Sequence, residues 1–102
     1  MRFAPLLLLP LVACSSPGEE ARIAGDASFR MMRFHDAYAA YSTIEEPDDE
    51  VQKLVEESRF RSILQSARDL VHVNRIDDAL RLLDQLELER PNGEGITEIR
   101  DA

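Results

Sequence analysis

The sequence predicts an all-α body, a small three-helix bundle or a helical hairpin plus one further helix, and three observations carry that reading. Apolar side chains recur at intervals of three and four along three stretches, the spacing that lines them up on one helix face. The stretches are divided by Pro47 within a run of carboxylates and by Asn74, and the last is followed by Pro91-Asn92-Gly93, residues that start or stop helices. The single cysteine, Cys14, excludes a disulfide framework, so those apolar faces have to hold the body together by packing alone.

The first thirteen residues stand apart from the rest. Arg2 precedes eleven residues, Phe3 to Ala13, that carry neither charge nor a hydrogen-bonding side chain, and the run ends at Cys14-Ser15-Ser16-Pro17-Gly18. At ~1.5 Å per residue such a helix covers roughly 16 Å of a hydrocarbon layer ~30 Å thick, so it reads as a processing segment and not as a span. Small residues before the cut suit a signal peptidase cleft, which Val12 and Ala13 satisfy.

The tetrad Leu11-Val12-Ala13-Cys14 at the end of this run resembles the lipobox of bacterial lipoproteins. The resemblance implies a signal peptide over 1–13, cleavage before Cys14, a covalent lipid on the Cys14 thiol and acylation of the new amino terminus with fatty acids such as palmitate. It also implies a location in the cell envelope. Ser15, where inner-membrane lipoproteins commonly carry aspartate, is similar to outer-membrane lipoproteins that face the periplasm. Removing residues 1–13 takes away only Arg2 among charged side chains, leaving the body one unit more negative than the −8 of the full chain. Such a body repels nucleic acid and anionic lipid surfaces, so the membrane is reached through the lipid.

Residues 14–25, with Ser15-Ser16-Pro17-Gly18, read as the lipidated cysteine and a flexible tether. A helical domain is expected over 26–93. Its first helix, about 26–44, carries Met31, Phe34, Tyr38 and Tyr41 at spacings of three and four, widened by Ala27, Phe29, Met32, Ala37 and Ala40. Plain core packing is the first reading of this aromatic stripe, and Phe29, Met32, Tyr38 and Tyr41 are its candidate protein-binding residues. Glu45-Glu46-Pro47-Asp48-Asp49-Glu50 reads as a solvated loop in which Asp48 or Asp49 caps the next helix. No glycine opens a turn there, so no metal site is assigned.

The second helix, about 49–71, has two stripes. Val51, Leu54, Val55 and Ser58 lie on one side, and Phe60, Ile63, Leu64, Ala67, Leu70 and Val71 lie roughly 180° away, so the helix either bends or breaks near Glu57 to Arg59 or is one long rod gripped on different faces at its two ends. With no Gly or Pro to mark a stop, the rod or a gentle bend is expected. The third helix, about 75–90, takes Asn74 as its cap and buries Ile76, Ala79, Leu80, Leu83 and Leu86, with Leu82 at the margin of that face. In the tail, 94–102, Ile96 and Ile99 lie three apart and either dock one last turn or fray.

Ala67, Leu70, Ala79, Leu83, Leu86 and Pro91 fall at intervals that resemble one tetratricopeptide repeat unit, spanning about Phe60 to Gly93. The resemblance implies a helical hairpin in which paired small residues allow close approach. A shift of 34 residues upstream puts Arg33 and Glu45 at the small positions, so a single unit is expected.

No catalytic motif emerges. His35 precedes Asp36 and His72 follows Asp69 by three, but neither has a nucleophile or oxyanion donor close in sequence, and no glycine-rich phosphate loop or paired-cysteine motif occurs. The chain is therefore expected not to be an enzyme and to use no cofactor beyond the covalent lipid on Cys14. The expected role is a membrane-anchored, periplasm-facing adaptor or assembly factor that binds another envelope protein. The alternative is a structural lipoprotein that self-associates, for instance as a homodimer.

Overall fold

A computed structural model describes residues 16–101, and Cys14 with the tetrad read as lipobox-like lies outside them, as does the expected signal peptide over 1–13. Among the described residues the chain is all-α, with five helices and no strand: α1 Pro17–Arg30, α2 Phe34–Ser42, α3 Asp49–His72, α4 Ile76–Glu89 and α5 Ile96–Arg100.

Two expectations at the start are corrected. The stretch from Pro17, read as tether up to residue 25, is helical because it carries a complete start signal. The Ser16 hydroxyl accepts from the Glu19 amide at 3.1 Å, Pro17 occupies the first turn, and Glu19 and Glu20 meet its partial positive charge. The single helix over 26–44 is in fact two, since α1 ends at Met31 and the chain reverses through Met32, whose φ is +60°. The Met32 amide donates to the Phe29 carbonyl at 3.0 Å and the Arg33 amide to that of Ser28 at 2.8 Å. This is a Schellman stop, which normally calls for glycine or asparagine at the left-handed position.

The break re-registers the aromatic stripe. On α2, Phe34, Ala37 and Tyr41 are buried, while Met31 and Met32 are left about two-thirds exposed at the turn. The Tyr41 ring lies where a side chain at Gly25 would project, within 2.5–2.8 Å of an ideal Cβ, so α1 and α2 approach closely only because residue 25 has none. The Tyr41 hydroxyl donates to Asp26, and Phe29 meets Phe34 edge-on at 5.1 Å between ring centroids.

Pro47 and Asp48 behave as read. Asp48 caps α3, its Oδ1 accepting from the Val51 amide at 2.8 Å. The helix then runs unbroken to His72, with no break near Glu57 to Arg59. Its contacts with α2 and α4 overlap along its middle instead of being confined to its two ends: His35 of α2 meets Ser62 and Ser66, while Arg59 pairs with Glu89 of α4. Asn74, read as the cap of α4, instead closes α3 in a left-handed conformation with φ +64°, and Arg75 is the N-cap residue of α4. The small polar side chain of Asn74 tolerates that conformation, so the end of α3 claims it before the start of α4 can.

The α1–α2 and α3–α4 hairpins share one build at an interval of 42 residues. Met32 and Asn74 are the left-handed residues, and Arg33 and Arg75 follow with φ/ψ of −94°/74° and −99°/67°. The Arg75 amide donates to the Leu70 carbonyl at 2.8 Å, matching Arg33 to Ser28. Arg33–Asp36 and Arg75–Asp78 are both i,i+3 ion pairs, at 3.5 and 2.5 Å. The close-approach pair Gly25 and Ala37 corresponds to Ala67 and Ala79, and buried Tyr41 to buried Leu83. A shift of 34 residues misses this second hairpin because α3 is longer than α1.

The helices pack serially, α1 on α2, α2 on α3 and α3 on α4. The tail docks and does not fray: α5 covers α3 and α4, burying Ile96 and Ile99 with Phe60, Leu64, Ala67, Leu83 and Leu86 in the main core.

Candidate functional site

The serial packing leaves a groove along α3 between the α1–α2 turn and the segment that leaves α4, over the buried side chains of Phe60 and Leu64. Glu57, Phe60, Arg61, Leu64, Gln65 and Arg68 recur on one face of α3 at spacings of three and four where they are not adjacent, and they floor this groove of about 650 Å³. Met32 and Phe34 form one wall, and Arg90, Pro91, Asn92, Gly93 and Glu94 form the other. Gln65 ties the first wall to the floor, its Nε2 donating to the Met32 carbonyl at 2.8 Å. Gly93 lies so close to Phe60 that an ideal Cβ would be 2.7 Å from the ring, which lets the second wall settle directly on the floor.

Charge in the groove is organised around Glu57. Arg61 donates through Nε to its Oε2 at 2.6 Å, and Arg90 donates through Nη1 to its Oε1 at 2.9 Å. Partial burial pushes the Glu57 carboxyl upward, but the two guanidinium hydrogen bonds outweigh it and hold the group below the ordinary value of 4.5. Both arginines also rest on aromatic rings: the Arg90 guanidinium carbon is 4.1 Å from the Phe60 centroid, and that of Arg61 is 5.5 Å from both Phe29 and Phe34. Such contacts are worth about 0.5–1 kcal/mol where solvent reaches them. Arg68 has no acidic partner among the described residues.

Of the four candidate protein-binding residues, Met32 alone lines the groove, and it is 64% exposed. Phe29 is half-buried behind Phe34 and under Arg61. Tyr38 is exposed on α2 outside the groove. Tyr41 is corrected from contact residue to core: it is 1% exposed, and burial first, then its bond to Asp26, pushes its hydroxyl pKa far above the ordinary 10.0. The polar members Glu57, Arg61, Arg68 and Arg90 were missed. For the first three the signal was present, since a spacing of four and then seven puts them on one helical face.

The fold also gives His35 neighbours that its sequence context lacks. Its ring nitrogens meet the hydroxyls of Ser62 and Ser66 on α3, with Ser66 Oγ 3.3 Å from Nε2. Ser62 is 4% exposed, and the contact ties α2 to α3; among the described residues no carboxylate is hydrogen-bonded to the ring. His72 ends α3, where a cation suits the carboxyl terminus. Among the described residues no helix is long and apolar enough to cross a membrane. Compared with known protein families, with curated proteins and with solved structures, the chain matches none of them.

Proposed function

We propose that this chain is a lipid-anchored adaptor of the bacterial envelope whose helical body docks a segment of another envelope protein in the groove along α3. The lipobox-like tetrad supplies the anchor and the two hairpins, read as a pair of tetratricopeptide-like units, supply the docking face. The observation that carries docking is Met32. A bulky L-residue in the left-handed conformation costs ~1–2 kcal/mol, and here it also leaves an apolar side chain in water at the rim of an aromatic-floored groove. A flexible thioether in that place suits contact with a partner's apolar side chain.

A photo-crosslinking amino acid at position 32, compared with one at exposed Leu88, tests docking in intact envelopes. A discrete adduct from 32 and none from 88 is expected, whereas equal adducts or none at all would reject docking in this groove. Anchoring is tested separately by fatty-acid labelling, which Cys14→Ala should abolish. Unchanged labelling of that variant would reject the lipid.

A further inference from the structure

We infer that the occupant of the groove is an acidic peptide, an extended partner segment of about five residues in which carboxylates flank an apolar side chain. This rests on the docking reading above and deepens it. Glu57 and Arg68 are eleven residues apart on α3, or ~16 Å along the helix, which about five extended residues cover at ~3.3 Å each.

The charge comes from a local excess of arginine over carboxylate in the groove. The chain is acidic, with 20 Asp and Glu against 12 Lys and Arg, yet three arginines and only two carboxylates line the groove. One of those carboxylates, Glu57, is shared by Arg61 and Arg90, and Arg68 stands without an acid among the described residues. Arg61 and Arg90 are thus fixed by a common carboxylate and by aromatic rings, so little rotamer freedom remains to be lost when a further anion arrives. Guanidinium groups recognise carboxylates through paired hydrogen bonds, and the exposed Met32 side chain on the groove wall suits an apolar side chain of the segment. A second copy of this chain would bring its own acidic run, Glu45 to Glu50, but also a body that is itself strongly negative, so the two copies repel.

The test uses the full chain in detergent micelles and fluorescence anisotropy of a labelled peptide, Asp-Glu-Leu-Glu-Asp, against a counterpart with every acid replaced by lysine. The acidic peptide should bind, more weakly at high ionic strength, and the lysine peptide should not. Arg68→Ala should lower affinity about tenfold, with Arg68→Lys intermediate and circular dichroism unchanged. Arg81→Ala, whose side chain is outside the groove, should have no effect. The assignment is overturned if the acidic peptide does not bind, if the lysine peptide binds equally, or if Arg81→Ala weakens binding as much as Arg68→Ala. It is equally overturned if glycerophosphoglycerol, a lipid headgroup, outcompetes the peptide, or if sedimentation shows the peptide displacing a second copy. An adduct from position 32 in envelopes together with a peptide that fails to bind would remove the acidic assignment and leave docking intact. No adduct from position 32 would remove docking itself.

Discussion

At Met32 a backbone conformation that disfavours any side chain coincides with the contact role proposed for the groove. The left-handed φ of +60° favours glycine, and the apolar atoms of Met32 face the groove. Met32→Gly is expected to raise stability by about 1 kcal/mol in urea denaturation while weakening binding of the acidic peptide. At the equivalent Asn74, where a tolerant residue already stands, the glycine variant should gain only a few tenths of a kcal/mol. Loss of stability in Met32→Gly would mean that the methionine serves the fold. Glu57 and Glu89 act through pH. Burial raises the Glu57 carboxyl, but hydrogen bonds from Arg61 and Arg90 prevail, and for Glu89 the hydrogen bonds from Arg59 dominate, so both end below 4.5. A folded value below the unfolded one stabilises the protein fully above about pH 4.5, and that contribution is lost as pH falls through the folded value. Glu57→Gln should cost about 1 kcal/mol at neutral pH, a figure kept small by partial exposure of all three partners. It should also flatten the acid limb of a stability–pH profile. An unchanged limb would place the acid sensitivity elsewhere.

At the scale of elements, the close approach of α1 to α2 gives the sharpest expectation. Gly25→Ala would gain ~1 kcal/mol of helix propensity but would drive a methyl into the Tyr41 ring, an overpacking cost of about 1–3 kcal/mol. The second hairpin solves the same approach with Ala67 and Leu83. Combining Gly25→Ala with Tyr41→Leu should therefore destabilise by less than the sum of the two single changes, with a coupling above about 0.5 kcal/mol in a double-mutant cycle. Simple additivity would show that the two hairpins are not built alike. Asp48→Ala should cost about 0.5–2 kcal/mol through loss of the cap on α3. These elements were legible to different degrees. Asp48, the long α3 helix and most of the apolar face of α4 could be read directly, although Ile76, expected to be buried there, is 42% exposed in the first turn of α4. The Ser16/Glu19 start of α1 was equally present but masked by Pro17 and Gly18. The break at Met31–Arg33 was not legible, because no glycine or proline marks it and only antiparallel packing of α1 on α2 favours it.

For the whole molecule, the main core joins α3, α4 and α5, and Leu83 at 0% exposure lies within it. Leu83→Ala should cost about 2–5 kcal/mol, a large part of the ~5–15 kcal/mol typical of a domain. Thermal unfolding is expected to shift sharply down, and a minor shift would mean that the core closes around the gap.

Taken by itself, the sequence determined that the described body is helical, where α3 and α4 run and which of their faces are apolar, because helical period and helix caps are local properties. Its aromatic stripe also singled out Met32, though with Tyr41 beside it. Tertiary structure decided that α1 and α2 fold back on each other, that the hairpin recurs after 42 residues, and that Tyr41 is core. It also decided the groove. Glu57 and Arg90 are 33 residues apart, and only the return of α4 alongside α3 brings the second guanidinium to a carboxylate that already carries its neighbour four residues on. Such pairing depends on where packed helices come to rest, which no local spacing specifies.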